Sequence, residues 1–242
     1  LLAPSSSHFG PQECWMEGPG ELHLRGFIAA EMKACVLRQN LSDLQRLVVT
    51  STGGFVSAAI DIAEHMAPHR PHVIVRGLCL SSCANYLIPI ASRLTVEPRS
   101  LIGLHGGVAK LVSKMRQKGR LPPAAMLADA ERERRFAAEF SLSPDWFLPD
   151  VFLKAYQKKI TNPMGFNLLF HDSQALAVSP GFLNSCLRDV EIDSFWYLYD
   201  HMDELKERHH KADLFERFWK RLRPLSSEKL QCDPLASDGN EG

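Results

Sequence analysis

Two β-branched runs, each ending at glycine and each leading towards a helical apolar pattern, constrain this chain more than anything else in it. Arg46-Leu-Val-Val-Thr-Ser51 runs into Thr52-Gly53-Gly54, after which Phe55, Ala59, Ile62, Ala63 and Met66 recur on one helical face. His72-Val-Ile-Val-Arg-Gly77 is a second short buried strand, and the mostly apolar stretch from Ser81 to Ala91 reads as a buried helix. Upstream, Glu21 to Ile28 alternates apolar and polar residues with the period of a strand, and Ala29 to Leu37 returns to helical spacing. Downstream, Leu94–Val96 and Leu101–His105 are two more strands. Strands that alternate with helices pair in parallel through right-handed crossovers. The fold class is therefore α/β.

The remainder of the chain divides by composition. The first 19 residues are rich in Pro, Gly and Ser and read as irregular, ahead of an α/β domain over about 20–190. From Val108 the pattern turns helical and charged, which marks a helical insertion over about 110–160. Within it Ala124 to Phe140 is an amphipathic helix, and Pro144 to Lys159 holds a second. A further helix is expected to start near Ser173-Gln-Ala-Leu-Ala177. Over 191–232, apolar residues from Phe195 to Leu222 fall at helical spacing and predict C-terminal helices, followed by a disordered tail at 233–242. That aromatic stripe suits burial against its own domain, with a partner subunit or a membrane surface as alternatives.

Charge and cysteine content narrow the function. With 28 basic and 28 acidic residues the chain lacks the basic excess that a nucleic-acid binder uses to displace counterions. An apolar fraction of 45% is too high for a disordered chain, and no apolar run is long enough to span a membrane. Leu1-Leu-Ala-Pro4 before Ser5-Ser-Ser7 resembles the stub left after a signal segment, or a start from which the natural beginning is missing. The six cysteines, an even number, suit an exported protein with disulfides, although free thiols would also fit a chain of this length.

Three features fall at the C-terminal ends of the expected strands, where open α/β sheets place their ligand crevice: Thr52-Gly53-Gly54, Cys79-Leu-Ser-Ser-Cys83 and His105-Gly-Gly107. Ser81 in a strand-to-helix turn, at the positive end of a helix dipole, suits a nucleophile whose product is an oxyanion. His105 is placed to act as its general base. Gly53-Gly54 bares backbone N–H groups of the kind an oxyanion hole requires. Ser82 is the rival nucleophile, with donation to the helix backbone as its alternative role. Cys79 and Cys83 either form a disulfide around the serine or pack as small apolar groups. Singly, each feature has a plain structural reading: an N-cap for Ser81, a packing histidine, a glycine turn. His65, His69 and His72 read as helix-surface histidines rather than metal ligands, and His201, Glu204, His209 and His210 as a solvated face.

The order Ser51-Thr-Gly-Gly54, helix, strand, Gly77-x-Cys79-x-Ser81-x-Cys83, helix, Arg93, Pro98, strand, His105 resembles the Clp protease/crotonase superfamily. It is most similar to the extracytoplasmic bacterial branch whose serine lies inside a Cys-x-Ser-x-Cys segment. The resemblance covers about residues 20–107, and Thr52 stands where the family usually has proline. It implies a ClpP/crotonase-like spiral of β-β-α units with a helical C-terminal region. It further implies a serine peptidase, with Ser81 as nucleophile, His105 as base and the N–H groups of Gly54 and Ser82 as oxyanion donors. The third member of the triad falls on Asn167, with Asp172 as rival and helix N-cap as the other role of Asp172. No cofactor or metal is implied. The expected partners are a peptide or protein substrate and further copies of the chain, docked through residues 192–222. The expected location is the bacterial periplasm or the medium, with a membrane tether before Leu1 as an alternative. Two other readings stay open: a catalytically silent protein that binds peptide in the same cleft, and a crotonase-type acyl-thioester enzyme.

Overall fold

The computed structural model describes residues 12–147, 176–187, 189–201, 225–228 and 230–232. In chain order its regular elements begin with β1 (Glu13–Met16), β2 (Glu21–Arg25), α1 (Ala30–Leu37), β3 (Arg46–Ser51), α2 (Val56–Met66) and β4 (His72–Leu80). They continue with β5 (Arg93–Val96), β6 (Leu101–Leu104), α3 (Val108–Gln117), α4 (Ala124–Glu139), β7 (Leu176–Ala177), α5 (Pro180–Cys186), β8 (Glu191–Phe195) and β9 (Leu225–Ser226). The strands form one mixed, mostly parallel sheet in the order β1-β2-β3-β4-β6-β7-β9, with β5 branching from β4 and β8 pairing with β5. Pairs β2·β3, β3·β4, β4·β5, β4·β6 and β5·β8 are parallel, as the strand–helix alternation predicts.

Strand β4 organises this sheet. Its first half, His72–Val75, pairs with β5, and its second half, Leu78–Leu80, pairs with β6. The register against β3 shifts between Val49↔Val75 and Ser51↔Cys79, so β4 carries extra residues there and bends at Arg76-Gly77. The bend aims the end of β4 at the ends of β3 and β6. Leu22, Leu24, Leu47, Val49, Val73 and Val75 are at most 2% exposed, and they pack in one core with Ala59, Ile62, Ala63 and Met66 of α2. Each such aliphatic side chain contributes about 1.5–3 kcal/mol on full burial, so the sheet ends are held by a rigid base. No described helix is long and apolar enough to cross a membrane.

The structure corrects the expected elements at four places. Glu13–Met16, inside the segment read as irregular, is a strand antiparallel to β2. Four residues between turn formers leave too short an alternation to show in the sequence. Leu176–Ala177, expected at a helix start, is β7, antiparallel to β6. The helix α5 begins at Pro180, where Ser179 Oγ accepts from the Phe182 N–H at 3.2 Å. Glu191–Phe195, expected in the C-terminal helical region, is β8, with Glu191 and Asp193 facing Arg93 across the pair. The segment after Ser81 is a single π-helical turn, Cys83–Leu87, rather than a helix to Ala91. The expected helix from Pro144 begins as a 3-10 turn, Pro144–Phe147. The rest of that helix, most of the aromatic stripe and the tail lie outside the described residues.

Candidate active site

Where β4 ends, the backbone turns sharply at Ser81, which adopts φ +57°, a left-handed conformation that costs a non-glycine residue about 1–3 kcal/mol. Two bonds hold it there. The Ser81 N–H donates to the Gly103 carbonyl of β6 at 2.9 Å, and the Ser81 carbonyl accepts from Asn85 N–H at 2.8 Å, opening the π-helical turn. A disulfide joins Cys79, the penultimate residue of β4, to Cys83 in that turn, and both cysteines are fully buried. Of the two readings left open for this pair, the covalent one is observed.

His105 follows directly on β6, the strand to which Ser81 is tied. Its Nε2 lies 2.5 Å from Ser81 Oγ, within hydrogen-bond reach. Ser81 is 9% exposed and His105 half-buried.

The third loop leaves β3. Ser51 Oγ accepts from the Gly53 N–H at 3.0 Å and turns the chain, and Gly53 takes φ +86°. A β-carbon at Gly53 would lie 2.5 Å from the Leu80 carbonyl oxygen, 2.7 Å from Ser81 Cβ and 2.9 Å from the Ser82 nitrogen. Only glycine allows this approach. Gly54 forms a parallel bridge with Ile28 through the Gly53 carbonyl and the Phe55 N–H, which leaves the Gly54 amide on the opposite side of the chain. That side faces the serine turn, because the Gly54 carbonyl accepts from Ser82 Oγ at 2.8 Å. The Ser82 hydroxyl thus ties two loops together, where donation to its own helix backbone had been expected. The Ser82 N–H sits in the first helical turn, where no intrahelical acceptor exists.

Four expected site residues, Ser81, His105, Gly54 and Ser82, therefore converge at one rim of the sheet, with the disulfide-bonded Cys79 and Cys83 on either side of the serines. Asn167 and Asp172, expected to orient the histidine, lie outside the described residues. Arg93 faces carboxylates of β8 on β5, and Pro98 is exposed in the turn before β6. His72 is not a free helix-surface group: its Nε2 bonds Thr95 Oγ1 at 2.8 Å, and burial lowers its pKa. His201 stacks on Trp196.

Sequence reasoning missed two groups. One is Glu133 of α4, the single buried carboxylate among the described residues. Burial raises its pKa, against bonds from the Tyr86 hydroxyl and the Ala109 and Val108 amides. The other is a set of possible metal ligands: Glu17, Glu21 and His23 bring their donor atoms within 4.8 Å of one another. There the His23 Nε2 contacts both carboxylates at 2.8 and 2.7 Å, and Arg46 Nε approaches Glu21 at 2.5 Å. Arg46 pairs with Glu21, and the His23 ring bonds both carboxylates, so contacts among these side chains account for the cluster.

No protein-family model matches the chain, and no curated protein matches it.

Proposed function

We propose that the chain is a serine hydrolase, a peptidase with a ClpP/crotonase-like fold, in which Ser81 is the nucleophile and His105 the general base. The observation that carries this reading is the 2.5 Å approach of His105 Nε2 to the hydroxyl of a serine held at positive φ. A strand-to-helix turn of this kind lifts the hydroxyl clear of the sheet and exposes it to an incoming carbonyl. With its proton on Nδ1, His105 accepts the Oγ proton as Ser81 Oγ bonds to the carbonyl carbon. The electron pair of the C=O bond moves to oxygen, between the Gly54 and Ser82 N–H groups. Collapse of that adduct breaks the C–N bond, and the imidazolium delivers its proton to the leaving amine. Water, deprotonated by the same imidazole, then hydrolyses the acyl-enzyme. One oxyanion donor of this type contributes about 3 kcal/mol in the transition state.

Asn167 holds the imidazole by its Nδ1 side in this scheme, with Asp172 as the alternative. Three disulfides support an oxidising, extracytoplasmic workplace. By the same resemblance the working form is a homo-oligomer assembled through residues 192–222. The test is labelling of the purified, oxidised protein with a fluorophosphonate. Wild type is labelled and Ser81→Ala is not. A folded wild type that resists labelling removes the hydrolase reading and leaves the silent peptide binder.

A further inference from the structure

The loop that follows His105 is held by a side chain from another helix. Helix α3 starts at Val108 without a side-chain cap of its own. In place of a cap, Glu133 of α4 accepts from the Val108 N–H at 3.0 Å and the Ala109 N–H at 2.9 Å. The same carboxylate accepts from the Tyr86 hydroxyl at 2.6 Å. Tyr86 belongs to the π-helical turn that begins behind Ser81, so one carboxylate grips both the histidine loop and the serine turn.

Neighbouring bonds follow the same seam. Asn85 Nδ2 donates to the Gly106 carbonyl at 3.1 Å, the Asn85 carbonyl accepts from Trp146 Nε1 at 3.1 Å, and the Gly107 N–H donates to the Phe147 carbonyl at 2.8 Å. Gly107 explains the second glycine of His105-Gly-Gly107: a β-carbon there would meet both Glu133 carboxylate oxygens at 2.4–2.5 Å. The chain leaves room at that position for the carboxylate and for nothing else.

We infer that Glu133 is a positioning residue for the Ser81–His105 pair, and that the α3–α4 insertion belongs to the catalytic apparatus through this one side chain. The inference rests on the reading of Ser81 as nucleophile. Glu133 touches neither reacting group; it fixes the two backbone segments from which they project. An imidazole displaced by about 1 Å costs on the order of a hundredfold in rate, so a modest loosening of the seam is measurable.

Glu133→Gln separates positioning from folding. Glutamine has one acceptor oxygen for three donors and turns an NH2 group towards one of them. It also removes a charge that burial disfavours, so the fold need not weaken. The measurement is the saturable kinetics of fluorophosphonate labelling, in protein shown by thermal melting and sizing to match wild type. The expected result is a maximal labelling rate at least fivefold lower with an apparent KI within twofold of wild type. A fall of less than fivefold, or one carried by KI, overturns the inference. Should Glu133→Gln fail to fold, Tyr86→Phe decides alone, because it deletes one bond and keeps the ring packed: a threefold or greater fall supports the inference and a smaller one overturns it. Glu131→Gln, on the exposed face of the same helix, is the control and stays within twofold. If wild type is not labelled, or Ser81→Ala still is, the hydrolase reading itself has failed, and the inference falls with it.

Discussion

Ser81 and Ser82 are adjacent in sequence and opposite in role, and the distinction is one of backbone geometry. At positive φ the Ser81 hydroxyl faces His105, whereas the Ser82 hydroxyl donates to the Gly54 carbonyl. Ser82→Ala deletes a neutral hydrogen bond worth about 1 kcal/mol and leaves the Ser82 N–H in place. Its labelling rate should fall less than about tenfold, while Ser81→Ala abolishes labelling. Complete loss in Ser82→Ala with retention in Ser81→Ala would exchange the two roles. Gly53→Ala should be more damaging, because its methyl group would overlap the Leu80 carbonyl and press on Ser81 Cβ. We expect at least a hundredfold lower labelling together with a lower Tm; wild-type kinetics would show that the loop has another conformation available. The residues that make these contacts were legible in the sequence where a motif fixed them: serine between cysteines, histidine after a strand, paired glycines. Glu133 was not legible. It sits in the charged run Glu131-Arg-Glu-Arg-Arg135, and nothing local distinguishes the one carboxylate that turns inward from its exposed neighbours.

Among the elements, helices announce themselves better than short strands. Helix α2 carries its buried stripe within eleven residues, and its limits agree with the apolar spacing to within a residue. Strand β8 reads Glu-Ile-Asp-Ser-Phe, with only Ile192 and Phe195 against the core, and the aromatic residues that follow mask its period. Its real signal is the pairing of Glu191 and Asp193 with Arg93, which needs the fold to be known first. The helices are themselves cross-linked by charge. Asp61 of α2 bonds Lys33 of α1 at 2.9 Å and Arg132 of α4 at 2.7 Å. Burial pushes the Asp61 carboxyl up, but the Lys33 ammonium and the Arg132 guanidinium outweigh it and hold the acid below its usual range. A depressed carboxylate contributes stability above its unfolded pKa of about 3.9 and loses it as the pH falls through the folded value. Asp61→Asn should cost about 1 kcal/mol near neutral pH, after allowance for solvent screening. In urea denaturation the gap between Asp61→Asn and wild type should close as the pH is lowered from about 5 to below 3. A gap independent of pH would mean that the two cations do not stabilise the charged form.

At the scale of the molecule, three disulfides divide the work of holding the site. Cys14–Cys35 pins edge strand β1 to α1, and Cys186–Cys232 pins the chain after β9 to α5. The latter supports the histidine side of the site, because β9 pairs with β7 and β7 with β6, which ends at His105. Cys79–Cys83 supports the serine side alone. Loop-closure entropy ranks their contributions to stability by span. A separation of 46 residues is worth about 4 kcal/mol, one of 21 about 3, and one of 4 about 2. Function should rank differently. The short Cys79–Cys83 loop holds Ser81 at a conformation that the backbone otherwise resists, so its removal releases strain at the point where alignment matters most. Removing the pairs one at a time as alanine double variants should therefore lower stability most for Cys186–Cys232 and least for Cys79–Cys83. The maximal fluorophosphonate rate, measured on the folded fraction, should fall at least tenfold for Cys79–Cys83 and change least for Cys14–Cys35, which ties edge strand β1 to α1 and lies outside the β6-β7-β9 run that leads to His105. If the Cys79–Cys83 variant labels at the wild-type rate, the backbone bonds to Gly103 and Asn85 hold the turn unaided, and the disulfide serves only the stability of the folded chain.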